Sequence, residues 1–535
     1  MATAPVAQQQ GHLRKELTYL DLTMASLGGI IGSGWLYGSL RAGALAGPGA
    51  IFSWIIGGIA VLLIGLTYAE LGGALPQAGA MVRYPQYSHG TFVSFIMGWA
   101  ALIAYASVPP IEAEAVVQFA NYYVPGLYVG TSLSTAGLII AFVLMVLFLM
   151  LNYWSVKVFA KTNTVWTLIK FIIPAFTVIL LLVTNFHSNN FSSYGGFAPD
   201  GTSGIMAAVP LAGIVFAYLG FRQALDLGGE AKNPQRDIPR AILTAIIVGV
   251  VLYVGLQLSW IVAMPASALA KGWAGINFSS PFANLVGTVG FGWWAALLFA
   301  DALWSPSGTG NVYTASTSRV MLALSRNGYF PKAFLKINPK SGVPVVALLA
   351  TVILGLVFLL PFPSWAALVG VVSSATVFTY IAGPVAIAVF RKTMPNLPRP
   401  FHLKGLSVIA PLAFVIASLI IYWSGWAVDS VVLLAILFGV VLYAYGVSSF
   451  AADTKKFEGQ HLRAGIWLIV YIVVMLLMTL WGSKNFGAPD PVIPYPWDVL
   501  VVAVLGIIFY YWGVASGWKT PEAEEADKGL HIGEE

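Results

Sequence analysis

The sequence predicts an all-α polytopic membrane protein with about fourteen transmembrane helices. Three observations lead there. Hydrophobic residues make up 58% of the 535 and charged residues only 9%, whereas a soluble domain carries about 25% charged residues. Such a chain cannot coat the several globular surfaces that its length would otherwise imply. The surplus lies in apolar runs that meet the roughly 20 residues a bilayer core demands of each helix. Lys and Arg, finally, gather on one side of those runs. The same inventory excludes several chemistries. With no cysteine, disulfides, thiolate metal sites and cysteine nucleophiles drop out together. The six histidines (His12, His89, His187, His402, His461 and His531) fall in polar loops or tails, so neither a buried metal site nor an intramembrane histidine relay is expected. No Walker phosphate loop is present, and ATP-driven transport by this chain is not expected.

In chain order the spans run about 18–44, 48–73, 92–120, 133–154, 163–184, 204–229, 240–264, 284–318, 343–361, 365–390, 406–427, 429–449, 464–482 and 497–516. Residues 1–17 are polar, with Arg14, Lys15 and Glu16 near the first span, and are read as a tail rather than a cleavable signal peptide. A cytoplasmic N-terminus places twenty-one of the 27 Lys and Arg on inner segments and only Lys271 and Lys484 outside. Arg41, Lys170, Arg222 and Arg319 fall within spans. This bias orients both termini to the cytoplasm, and the net charge of +6 then follows from topology with no nucleic-acid partner. The acidic run Glu522 to Asp527, within a tail of 517–535, reads as a solvated end.

Two spans carry breaks. Span 1 contains Gly28-Gly29-Ile30-Ile31-Gly32-Ser33-Gly34, and each glycine disfavours helix by roughly 1 kcal/mol against alanine. Close helix packing through small residues is the alternative use of such a stretch. Span 6 weakens at Phe216-Ala217-Tyr218-Leu219-Gly220-Phe221, followed by the charges Arg222, Asp226 and Glu230. Spans 1 and 6 correspond if spans 1–5 and 6–10 are inverted halves, and interrupted helices in corresponding positions point to a transporter site. Broken ends leave amides for an anion and carbonyls for a cation.

These segments resemble the amino acid–polyamine–organocation (APC) superfamily over roughly 15–400. The resemblance rests on Gly29-Ile30-Ile31-Gly32-Ser33-Gly34, on Tyr68-Ala69-Glu70-Leu71-Gly72 with Pro76-Gln77-Ala78-Gly79, and on Phe216-Ala217-Tyr218-Leu219-Gly220. Glu230-Ala231-Lys232-Asn233-Pro234 with Arg236-Asp237-Ile238-Pro239-Arg240, and Ser318-Arg319 with Arg326-Asn327-Gly328-Tyr329-Phe330-Pro331, complete it in order. It implies a 5+5 inverted-repeat core over 18–400, with helices 11–14 (401–516) packed around it. It further implies that a substrate carboxylate meets Gly32, Ser33 and Gly34, and that its ammonium meets the carbonyls of Ile30, Phe216 and Leu219. Phe216 would be an aromatic lid beside Ala217. Arg222, with Met81-Val82-Arg83-Tyr84-Pro85, resembles the aspartate/glutamate–proton symporter branch.

Charges inside a membrane are costly and mark functional sites. Lys170 is the lone charge in the interior of span 5. The resemblance gives such a lysine the place of a sodium ion in sodium-coupled relatives, with Ser305, Ser307 and Thr309 on span 8 as candidate oxygen partners; the alternative is snorkelling to the inner face. Arg222 suits a second substrate carboxylate, which it can grip bidentately, or a pair with Asp226 four residues on. Glu112 and Glu114 follow Pro109-Pro110 in span 3; two apart on a helix, they cannot share one pocket. One of them would bind a proton or hold a gate, solvation in a vestibule is the alternative, and the pair argues mildly against an acidic substrate. Asp301 is a candidate interhelical partner, and Glu70 and Arg319 are candidate gate or loop-anchoring groups. The resulting expectation is a proton-coupled permease taking up acidic amino acids across the inner or plasma membrane, with the proton as coupling ion and no cofactor. A neutral or cationic amino acid carrier or exchanger is the alternative within transporters. A nutrient sensor would carry an appended soluble domain, and a membrane enzyme a clustered nucleophile, base or metal set within the spans. Neither feature is evident here.

Overall fold

The computed structural model describes residues 15–129, 132–153, 156–339, 341–360, 364–450 and 459–529. His12, Arg14, Lys340, Lys455, Lys456 and His531, and with them most of the expected N-terminal tail, lie outside the described residues, as do the side chains of Lys157 and Lys161.

Helix α1 (Tyr19–Ile30) starts where Thr18 and Asp21 cap each other: the Asp21 amide donates to Thr18 Oγ1, and the Thr18 amide donates to Asp21 Oδ2 at 2.9 Å. This reciprocal cap fixes the entry of the first span. Then come α2 (Ser33–Ala46), α3 (Ala50–Ala74), α4 (Ala80–His89), α5 (Thr91–Ala106), α6 (Val108–Ala120), α7 (Thr135–Tyr153) and α8 (Val156–Thr184). The next group is α9 (Gly201–Leu211), α10 (Ile214–Tyr218), α11 (Gln223–Asp226), α12 (Pro234–Ala263), α13 (Pro281–Thr288) and α14 (Gly292–Arg326). The chain ends with α15 (Val345–Leu359), α16 (Trp365–Tyr380), α17 (Ala382–Thr393), α18 (Leu406–Ser424), α19 (Trp426–Phe450), α20 (Gly459–Trp481), α21 (Trp497–Ser516) and α22 (Pro521–Asp527). A small antiparallel hairpin, Tyr128–Val129 against Ser132–Leu133, follows α6.

Among the described residues, ten helices are long and apolar enough to cross a membrane, or eleven if the bent pair Gly201–Leu211 and Ile214–Asp226 is one span. Each of the fourteen expected stretches is helical, but not each meets that test. Residues Ser33–Ala74 count as a single stretch, α1 has only 12 residues and α15 only 15. Helix α14 carries a buried polar file, Ser305, Thr309, Asn311, Thr314, Thr317 and Ser318, which makes it too polar by composition. Expected span 3 is two helices that meet at Ser107, ahead of Pro109 and Pro110. Expected span 8 is likewise divided, with α13 separate from α14.

The helix ends near Leu17, Glu70 and Glu230 are knitted together. Leu17 forms a parallel bridge to Ala231, its amide donating to the Glu230 carbonyl at 2.9 Å and its carbonyl accepting from the Lys232 amide at 2.8 Å. Glu70, buried, accepts from Arg391 Nη2 and from the Leu403 amide, both at 2.6 Å, and so anchors the loop after α17. Arg319 Nε pairs with Glu230 at 3.0 Å. Both groups fill the anchoring role expected of them.

Two expectations about polar ends need correction. His89 and His461 are buried rather than loop-solvated: His89 packs its ring 6.0 Å from that of Trp467, and burial pushes its imidazole down to about 4, so it is neutral at pH 7. The acidic end is docked rather than free. The Trp518 amide donates to the Ser88 carbonyl at 3.1 Å and Thr520 Oγ1 to the Tyr87 carbonyl at 3.0 Å. Gln86 donates to Glu522 at 2.7 Å, and Asp527 accepts from the Asn396 amide at 2.9 Å. The small residues Ala523 and Ala526 let α22 lie flat on its neighbours.

Thr520 also caps α22 by accepting from the Ala523 amide at 3.1 Å. Thr520→Ala removes both bonds, and loss of such a cap costs about 1 kcal/mol. Limited proteolysis of the purified protein should therefore cut the variant within 517–529 several times faster than the parent, with the helical core intact.

Candidate functional site

The first span breaks at Ile31–Gly32, between α1 and α2. A break frees the last carbonyls of one helix and the first amides of the next, and here other helices supply their partners. Lys170 Nζ, fully buried on α8, donates to the Gly28 carbonyl at 2.6 Å and to Thr309 Oγ1 at 2.8 Å. Thr309 in turn donates to the Gly28 carbonyl at 2.7 Å. The Ile30 carbonyl accepts from the Tyr253 hydroxyl at 2.7 Å, and the Ile31 carbonyl from Ser305 Oγ at 3.1 Å. On the amide side, Ser33 N–H donates to Glu112 Oε2 at 2.9 Å, while Glu112 Oε1 has no hydrogen-bond partner. Trp365 Nε1 donates to Ser33 Oγ at 2.7 Å. Lys170 thus does not snorkel. Of its expected partners, Thr309 binds it and Ser305 caps the break, whereas Ser307 bonds its own helix at Leu303 and faces outward.

Span 6 departs from expectation in where it bends. The bend of 47° falls at Ala212–Gly213, ahead of Phe216. Gly213 adopts φ +80 just after Pro210, a left-handed conformation that favours glycine. A second irregularity, a 3₁₀ turn over Leu219–Arg222, lies where the sequence placed the weak point. Between them Phe216 meets Trp365 edge to face, with ring centroids 6.1 Å apart. The two broken spans touch through small residues: a Cβ at Gly34 would lie 2.9 Å from that of Ala217, and one at Gly220 would overlap the backbone of Gly29 and Ile30.

At the end of the 3₁₀ turn, Arg222 is fully buried in an aromatic cage. Its Cζ lies 3.6 Å from the Tyr105 ring centroid, 5.4 Å from Tyr313 and 6.0 Å from Tyr380. None of its three guanidinium nitrogens has a hydrogen-bond partner. Asp226 Oδ2 accepts from the Tyr105 hydroxyl instead, and Asp226 Oδ1 is unpartnered. The expected Arg222–Asp226 ion pair is therefore not formed.

The amino acid permease family matches residues 21–440. The chain belongs to that family. Its relatives include the glutamate/serine transporter AimA of Bacillus subtilis (strain 168), 42% identical over 522 residues that make up 96% of each chain. The aspartate-proton symporter of the same organism is 40% identical over 516 residues, 95% of this chain and 98% of the relative. Its branched-chain amino acid permease BcaP is 27% identical over 449 residues, 81% of this chain and 92% of the relative. The chain is accordingly a multi-pass membrane transporter of amino acids, not an enzyme.

In this permease the fold unites Ile30, Gly32, Ser33, Gly34, Glu112, Lys170, Phe216, Ala217 and Leu219 around the break. Arg222 and Asp226 form a neighbouring polar group. Asp301 lies four and eight residues before Ser305 and Thr309, and so on the same face of α14; it is buried, with the Trp35 side chain beside it and no hydrogen bond of normal geometry to either oxygen. Glu114 is equally buried and unpartnered, on the other side of α6 from Glu112. Sequence reasoning missed Tyr253, Trp365, Tyr105, Tyr313 and Tyr380. Their only signal is a polar tip on an aromatic body inside an apolar helix.

The close approach of the two breaks makes a direct prediction. Gly34→Leu should leave expression and the size-exclusion profile of the solubilised protein intact while abolishing binding of labelled amino acid, because the side chain meets Ala217 and Phe216. Retained binding would remove this junction from the site.

Proposed function

We propose that this permease is a proton-coupled symporter that takes up the acidic amino acids aspartate and glutamate by alternating access. One observation carries the reading: a buried ammonium, Lys170, and a buried carboxyl group, Glu112, are bonded to opposite ends of the same helix break. The Ser33 amide is where a substrate's α-carboxylate would bind, and Glu112 occupies it as an internal stand-in. A proton taken by Glu112 removes its charge and weakens its hold on that amide. Substrate carboxylate then replaces it, so proton and substrate load together. The substrate's ammonium goes to the carbonyls of Ile30, Phe216 and Leu219, with Phe216 closing over it. Lys170 plays the part of a bound cation between α1 and α14, and its deprotonation loosens α1 from α8. Asp301 and Glu114 serve as gate groups on the outer half.

Arg222 supports the acidic substrate. A buried guanidinium with no hydrogen-bond partner in a cage that adds no negative charge suits a distal carboxylate. Relatives named for glutamate and for aspartate-proton transport support an acidic substrate, although the first is named for serine as well. The topology that serves this function is fourteen spans with both termini cytoplasmic, an inverted-repeat core over 18–400 and four further helices over 401–516. The 21-to-2 distribution of Lys and Arg and the contact between the two broken spans support it.

Uptake by proteoliposomes from a panel of labelled amino acids, with and without an imposed pH gradient, tests the proposal. Aspartate and glutamate should accumulate only with the inward proton gradient. Gradient-independent exchange, or accumulation of cationic substrates, would replace it with the carrier or exchanger reading. Lys170→Ala should bind aspartate yet fail to concentrate it, and unchanged pH dependence in that variant would move the proton elsewhere. Arg222→Ala should weaken aspartate binding by about ten- to a hundredfold, since charge-assisted bonds contribute roughly 1.5–3 kcal/mol and 1.4 kcal/mol is one decade. Serine, with no distal carboxylate, should lose far less.

A further inference from the structure

Arg222 and Asp226 stand four residues apart beside the second break, a spacing at which opposite charges on a helix ordinarily meet. They do not meet here, and one side chain accounts for it. The Tyr105 ring lies against the guanidinium with Cζ 3.6 Å from its centroid, while its hydroxyl donates to Asp226 Oδ2. The ring attracts the cation through its negative face but offers that cation no acceptor, and none of the three Arg222 guanidinium nitrogens makes a hydrogen bond of normal geometry.

The other carboxylate on this segment, Glu230, is held at 3.0 Å by Arg319. Tyr313 and Tyr380 close the walls; the Tyr313 hydroxyl lies beside Gln223 and Arg222 without a hydrogen bond of normal geometry, and the Tyr380 hydroxyl has no partner. Gln223, next along the chain, turns its Oε1 to Ser316 on α14 and leaves its Nε2 unpartnered. The cage therefore holds one positive charge and a surplus of unfilled donors, with its nearest counter-charge drawn off to one side.

We infer that Tyr105 is a positioning residue for selectivity: by holding Asp226 it keeps Arg222 open to the side-chain carboxylate of an acidic amino acid. The inference rests on the proposed role of Arg222. Without the Tyr105 hydroxyl, Asp226 turns to Arg222 and competes with substrate from within the protein. The Phe variant keeps the ring and its attraction for the cation, so only the tether is lost.

The test is equilibrium binding of labelled aspartate and serine to the full-length protein in proteoliposomes. Tyr105→Phe should weaken aspartate about tenfold, one decade of affinity, with serine changed far less. Adding Asp226→Asn to Tyr105→Phe should restore most of the aspartate affinity, a rescue that general damage to the fold would not give. Arg222→Ala separates the two levels of the argument. If it spares aspartate, the acidic-substrate reading itself fails. If it weakens aspartate while Tyr105→Phe does not, or while the double variant stays as weak as the single one, Tyr105 is not the positioning residue.

Discussion

Within a bilayer no water is available for a backbone group that a helix break sets free, so every such group needs a partner from the protein. The break at Ile31–Gly32 frees the carbonyls of Gly28, Ile30 and Ile31 and the amide of Ser33. Their partners come from four other helices: Lys170 on α8, Thr309 and Ser305 on α14, Tyr253 on α12 and Glu112 on α6, with Trp365 on a fifth, α16, fixing the Ser33 side chain. A single interrupted helix thereby dictates what much of the bundle must place at its centre. Leaving a polar group unmatched there costs several kcal/mol, which makes the arrangement nearly all-or-none.

That constraint also explains why an ionisable pair suits the role better than neutral groups. A hydroxyl would satisfy a carbonyl permanently, as Tyr253 does for Ile30. An ammonium and a carboxyl group satisfy their backbone partners on terms set by a proton. Lys170 and Glu112 grip the two ends of one break, so a change in either charge alters how firmly α1 and α2 are held to the surrounding helices.

The class of fold was legible because it depends on composition: too few charges for a soluble surface, and glycines clustered in span 1. Lys170 was legible for the same reason, as a lone charge in an apolar run, and the structure gives it backbone and Thr309 partners as the polar file on span 8 suggested. What depends on side chains from distant spans was not. Nothing in the sequence says that Glu112 lies on the Ser33 amide, 79 residues away. The bend in span 6 was misplaced because the eye goes to Gly220, a packing glycine against α1, whereas the turn is made by Pro210 and Gly213. The acidic end was misread because charge pattern cannot reveal Ala523 and Ala526 as a docking face. Fourteen apolar stretches were countable, but α1 and α15 are short and α14 is polar, so length and composition alone support fewer spans.

The tie between α1 and the segment after the second break adds a mechanical consequence. Leu17 bonds the chain at Glu230 and Lys232 in both directions, and Ser26 accepts from the Ala224 amide at 3.2 Å while donating to the Phe221 carbonyl at 3.3 Å. The inner half of α1 and the segment from Gly220 to Lys232 are therefore tied along their length, with no room for a Cβ at Gly220. Neither can move without the other. Tyr105 reaches this pair from α5, and Lys170 reaches it from α8, so the two charged contacts lie across the seam between the tied pair and the helices around it. Separating the tied pair from those helices would stretch one or both of them. A change in the charge of Lys170, or loss of the Tyr105–Asp226 bond, would therefore act across the same seam.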